Sequence, residues 1–262
     1  MPETAVRPAW RDLLERWDVQ QGVYVEHREQ GYEVMLSMLD ALVPGDITAV
    51  DLAGGPGSIA QRFLARRPGS RCLTVDTDPV LQTIGEGALG DVDGRLRWVR
   101  ADLRDPEWPS RLAEPSVDAV LSSTALHWLT PDALAAMYRS LSELIRPGGV
   151  LVNFDGFPDN GEPTAIDEAV TAVDAARQER AVERGAEPWQ DWWDAARAVP
   201  ELADAFAERD EIFAPARGRF FTAARKKGTS AAFHEAALRE AGFSDVQIVW
   251  QDLTKKILVA VR

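Results

Sequence analysis

Short runs rich in apolar residues recur at residues 49–52, 70–76, 95–103, 117–123 and 150–154. Each is too short for a typical helix. Most are almost continuously apolar, as buried strands are, while 95–103 alternates with period two. Beyond residue 230 comes a helical pattern carrying Phe233, Ala237, Leu238 and Ala241, which stops at Gly242. Two further strand patterns, 246–251 and 254–261, follow as a closing hairpin. Strands separated by helices predict an α/β domain with a doubly wound sheet. Ahead of the first strand, Trp10, Leu13, Leu14 and Trp17, then Tyr24, Tyr32, Met35, Leu36 and Leu39, recur at helical spacings and predict two helices.

The chain thus divides into N-terminal helices over 1–44, a sheet core over 45–155 and 230–262, and an insertion over 156–229. The insertion is helical by pattern. Ile166, Ala169, Val170, Val173 and Ala176 form one stripe, and Trp189, Trp192, Trp193, Ala196 and Val199 another. It enters at the carboxyl end of the fifth strand, the edge where open α/β sheets bind ligands, and is expected to be a lid. A structural flap or a dimer surface is the competing expectation.

The densest signal is Ala49-Val50-Asp51-Leu52-Ala53-Gly54-Gly55-Pro56-Gly57-Ser58, a strand ending in a carboxylate that runs into a glycine turn at a helix start. Such turns bring backbone close to a nucleotide cofactor. In a dinucleotide site the turn meets a pyrophosphate, which Asp51 would repel. The acid suits a cationic ligand, such as the α-ammonium end of S-adenosylmethionine.

Here the chain resembles the class I S-adenosylmethionine-dependent methyltransferases, whose first motif reads D-x-G-x-G-x-G. Asp51, Ala53, Gly55 and Gly57 take its places, with Ala53 replacing the first glycine. The resemblance covers the sheet core and implies a Rossmann-like seven-stranded sheet in the order 3-2-1-4-5-7-6. It also implies a cofactor site of strand ends. Asp76, with Thr77 beside it, would take the ribose hydroxyls, Asp102 the adenine amine with Leu103 alongside, and Ser123 the end of the fourth strand. Relatives with a similar N-terminal helix use a tyrosine–arginine pair, here Tyr24 and Arg28, spaced four apart so as to share a helix face.

The implied reaction is in-line methyl transfer to an oxygen or nitrogen, less favourably a carbon, of a small molecule. His127, just past the fourth strand, is the expected base if one is needed. Trp128, Trp192 and Trp193 are the expected acceptor walls, and Arg217, Arg219 and Arg225 with Phe220 and Phe221 are candidates for an anionic acceptor. Two other readings stay open. One is a noncatalytic cofactor-binding protein; the other is a nicotinamide oxidoreductase, which Asp51 opposes.

Composition narrows the partners. A formal charge of −13 argues against nucleic acid and anionic membranes. No apolar run reaches membrane-spanning length, and residues 1–8 carry no signal-peptide core. Cys72, the single cysteine, allows no intrachain disulfide, which fits a cytoplasmic location. His27, His127 and His234 lie far apart, and the fourth strand's end, Ser122-Ser123-Thr124-Ala125, offers no carboxylate, so no metal is expected. A monomer or homodimer is expected.

Overall fold

A computed structural model describes residues 8–158, 164–214 and 229–262. Its helices are α1 (Pro8–Tyr24), α2 (Arg28–Leu42), α3 (Ser58–Arg66), α4 (Pro79–Leu89), α5 (Pro131–Leu144), α6 (Ala165–Glu183), α7 (Trp189–Arg197), α8 (Ala203–Phe213) and α9 (Ala231–Ala241). The strands are β1 (Thr48–Leu52), β2 (Arg71–Asp76), β3 (Leu96–Arg100), β4 (Val117–Ser123), β5 (Ile145–Gly156), β6 (Asp245–Asp252) and β7 (Lys255–Val261). They form one sheet in the order β3-β2-β1-β4-β5-β7-β6. The first five strands run parallel, while β7 pairs antiparallel with β5 and β6. The expected order is the observed one.

Alternate residues of each strand feed two cores, as the period of two requires. Ala49, Cys72, Ala119, Val150, Val152 and Phe154 pack with α2 and α3, whose contributions include Met35, Leu39, Ile59 and Phe63. Val50, Leu52, Leu73, Val75, Val120 and Leu151 pack with α5 and α9 through Met137, Tyr138, Leu141 and Leu238. The order reversal between β1 and β4 opens a crevice at the carboxyl edge, the usual ligand position in such sheets.

The two N-terminal helices part company. Helix α2 lies on the sheet, whereas α1 joins α4 and the insertion in a third core made of Trp10, Leu13, Leu14, Trp17, Val80, Ile84, Trp192, Trp193, Leu202 and Phe206. Gly148 and Gly149 lie inside β5, where its pairing with β4 skips from Val117↔Ile145 to Ala119↔Val150. Helix α5 ends at Ile145 with an ordinary negative φ. Gly242, at φ +103, does cap α9 as its sequence position suggests.

Candidate active site

A cleft of about 330 Å³ opens along the carboxyl edge. Its floor is the turn after β1. Asp51 is fully buried, and its Oδ2 accepts from the Ala60 N–H at 3.1 Å, while Oδ1 has no partner among the described residues. Burial pushes the Asp51 carboxyl up to about 7; Asp76 adds to the rise, and the Ala60 N–H and Arg28 oppose it. An orphaned, desolvated carboxylate is a site for a cation, which fits the ammonium end of S-adenosylmethionine.

The turn's residues divide by role. Ala53, Gly54 and Gly55 line the cleft, with Ala53 and Gly55 at φ +52 and +55. Ala53 thus holds the left-handed conformation that glycine adopts without strain. Gly54, which the motif reading passed over, has no room for a side chain, since a Cβ would lie 2.5 Å from the Asp51 carboxyl carbon. Gly57 does not line the cleft. It is the N-cap of α3 at φ +86, and a Cβ there would strike the Trp98 ring at 2.8 Å, so its need for glycine is one of packing.

Asp76, at the end of β2, accepts from the Gly55 N–H at 2.7 Å and the Asp78 N–H at 2.8 Å, and it lines the cleft beside Thr77. Burial raises its carboxyl to about 6. Asp102 and Leu103 line the adjoining wall. Asp102 is held by Arg104, whose Nε and Nη2 approach within 2.8 and 2.6 Å; despite partial burial, this keeps the carboxyl below the usual range. Ser123 lines the opposite side at the end of β4.

The tyrosine–arginine pair needs correction. Tyr24 does not line the cleft; its hydroxyl accepts from the Trp189 N–H at 3.2 Å. Tyr24 and Arg28 share no helix face, because α1 ends at Tyr24 and His27, at φ +61, interrupts the helix before α2 starts at Arg28. The aromatic partner of Arg28 is Tyr32, one turn further along α2. The guanidinium sits 4.7 Å from its ring centre, and both residues line the cleft. Asp18 of α1 steadies Arg28 through Oδ1 at 2.9 Å, and the same oxygen accepts from Ser58 Oγ at 2.6 Å.

His127 does not line the cleft either, but its neighbours Ala125 and Trp128 do. Its Nδ1 donates to Asp155 Oδ1 at 2.6 Å and its backbone N–H to Oδ2 at 3.0 Å. Against the cost of burial, His127 keeps Asp155 below the usual carboxylate range. Trp128 is a wall of the cleft and 38% exposed, so its ring is open to a ligand. Trp193 also lines the cleft. Trp192 does not: it is fully buried, its Nε1 donates to the Leu13 carbonyl at 3.1 Å, and it belongs to the core rather than to an acceptor wall. Trp17, Gln21, Trp189 and Arg209 also line the cleft, and nothing local in the sequence singled them out. Arg217, Arg219, Arg225, Phe220 and Phe221 lie outside the described residues. No cluster of metal-ligating side chains exists among the described residues.

Comparison with known proteins agrees with this geometry. Residues 49–149 match the family model described as a methyltransferase domain. The chain is 33% identical over 138 residues to a ubiquinone/menaquinone biosynthesis C-methyltransferase of Dinoroseobacter shibae, covering 50% of this chain and 52% of that protein. It is 31% identical over 139 residues to a trans-aconitate 2-methyltransferase of Escherichia coli, covering 53% and 48%. The chain therefore spans about half the length of the curated relatives it matches. Among solved structures, human N-acetylserotonin methyltransferase in complex with S-adenosylmethionine shares the fold at a TM-score of 0.55 and 15% identity, over 97% of this chain and 57% of that one. An O-methyltransferase family protein of Burkholderia thailandensis does so at 0.53 and 16%, over 88% and 57%. Residues 49–149 are thus similar to a methyltransferase domain, and the chain shares its fold with methyltransferases of known structure.

Proposed function

We propose that this protein transfers the methyl group of S-adenosylmethionine to an oxygen or nitrogen atom of a small molecule. The observation that carries the reading is the pair of buried carboxylates, Asp51 and Asp76, set at adjacent strand ends around a glycine turn. When bound, the cofactor supplies a methyl group already activated by its sulfonium, and the departing bond pair stays on sulfur.

The chain's own residues bind, orient and exclude water. Asp51 faces the ammonium group, Asp76 with Thr77 receives the ribose diol, and Asp102 with Leu103 meets the adenine edge. Ala53, Gly54 and Gly55 let the backbone lie against the ligand, with Ser123 at the far end. Arg28, seated on Tyr32, pairs with the methionyl carboxylate. Trp128 forms an acceptor wall. Because Asp155 fixes the Nδ1–H tautomer of His127, Nε2 carries the lone pair that accepts a proton from an acceptor hydroxyl or amine. Among the described residues no helix is long and apolar enough to cross a membrane.

A carbon acceptor is the second reading, favoured by the match to the C-methyltransferase of Dinoroseobacter shibae. A screen with methyl-labelled cofactor over carboxylic acids, phenols and amines, with NMR location of the label, tests both. A label on oxygen or nitrogen supports the proposal, and a label on carbon selects the second reading. Cofactor binding with no turnover across a broad acceptor panel supports a binding protein instead.

A further inference from the structure

The insertion was expected to cover the acceptor, yet its ties run elsewhere. Arg209 of α8 donates from Nε to Asp78 Oδ2 at 2.6 Å, and Glu208 accepts from Arg100 Nη1 of β3 at 2.9 Å. Asp78 is also the N-cap of α4, accepting from the Val80 and Leu81 N–H groups through Oδ1. Its own N–H donates to Asp76 Oδ1. One hydrogen-bonded path therefore leads from α8 through Asp78 to the carboxylate at the end of β2. The Arg209 guanidinium sits over Trp193, 4.0 Å from the ring centre, and Trp193 packs at 6.2 Å on Trp17 of α1. Trp17, Trp193 and Arg209 all line the cleft beside Asp76, Thr77 and Leu81. Helix α8 is thus anchored over the β2–α4–β3 half of the crevice.

We propose that Trp193 and Arg209 cover the adenosine half of the bound cofactor, making this part of the insertion a wall of the cofactor site rather than of the acceptor site. The inference rests on the reading of Asp76 as the ribose ligand. The exposed part of a largely buried indole and a guanidinium held in place by a carboxylate line the cleft where a sugar and a purine need a covering wall. They do so without an uncompensated charge, since Asp78 neutralises Arg209. The acceptor then enters beside Trp128.

The test is calorimetric titration of the full chain with S-adenosylhomocysteine and with 5′-methylthioadenosine, which keeps the adenosine but lacks the amino-acid end. Arg209→Gln and Trp193→Phe should weaken both ligands by about tenfold, whereas Arg28→Gln should weaken only S-adenosylhomocysteine. If Trp193→Phe fails to fold, Arg209→Gln alone decides, because it leaves the Asp78 cap in place. Affinities for both ligands within about twofold of wild type in Arg209→Gln, or a loss confined to S-adenosylhomocysteine, would overturn the proposal. A wild-type chain that binds neither ligand would overturn the cofactor reading itself.

Discussion

Asp155 grips His127 twice, accepting the ring Nδ1–H at 2.6 Å and the backbone N–H at 3.0 Å, although Asp155 belongs to β5 and His127 to the turn after β4. The double contact fixes both the position of the turn after β4 and the tautomer of the ring it carries. If that ring is the base, His127→Asn should lower kcat on a hydroxyl or amine acceptor by about 10²- to 10⁴-fold with cofactor affinity unchanged. Asp155→Asn should also lower kcat, because it loosens the ring's position. Unchanged rates in both variants would leave the pair as a loop anchor.

Ribose binding rests on Asp76. Charge-assisted hydrogen bonds contribute about 1.5–3 kcal/mol each, so Asp76→Ala should weaken S-adenosylhomocysteine by at least about tenfold. Asp102→Ala should cost less, about 0.5–1.5 kcal/mol, because Arg104 already engages that carboxylate. Binding measured for the two folded variants checks the ranking, and a larger loss at Asp102 would contradict it.

The raised pKa values of Asp51 and Asp76, about 7 and about 6, give the site a pH dependence of definite sign. Both carboxyls titrate higher in the folded chain than the ordinary carboxylate, so their contribution to stability is greatest at low pH and is lost as pH rises from about 4 to 7. A cationic cofactor favours the ionised forms, so its binding should release protons and tighten as pH climbs through 6 to 7. Thermal shifts induced by S-adenosylmethionine should be larger at pH 8 than at pH 5.5, and the reverse order would refute the charge assignment.

His234 shows the opposite linkage. It is buried between the Tyr138 hydroxyl at 2.5 Å and Thr229 Oγ1 at 2.7 Å, and burial lowers its pKa to about 4. An unfolded histidine titrates near 6.5, so this group's contribution is full above that pH and is lost as pH falls toward 4. Between pH 7.5 and pH 5 the loss should be about 2 kcal/mol, read as the fall in unfolding free energy from urea melts of wild type that His234→Gln does not share. The same fall in both proteins would show that the ring is not held neutral.

Much of the fold was legible because the strands are short apolar runs that end at acids and glycines, and sequence neighbours remain neighbours there. Asp51, Ala53, Gly55, Asp76, Thr77, Asp102, Leu103 and Ser123 come to one cleft for that reason. Residues delivered by long-range packing were not legible. Tyr32 reaches the cleft because α2 starts afresh after the left-handed His27, and Asp155 meets His127 only once β5 lies beside β4. Three tryptophans on one amphipathic helix looked alike in sequence. The fold buries Trp192 against Leu13 and leaves Trp189 and Trp193 at the cleft. Trp192→Ala should accordingly lower stability by about 3–5 kcal/mol while leaving cofactor affinity intact in the folded fraction.

The most direct measurement of the central claim is calorimetric titration of the full chain with S-adenosylmethionine, S-adenosylhomocysteine and NAD, repeated with Asp76→Ala. The account predicts saturable binding of the first two, no binding of NAD, and a loss of about tenfold or more in the variant. Binding of NAD with no heat from either S-adenosyl compound would contradict it and return the glycine turn to a dinucleotide site.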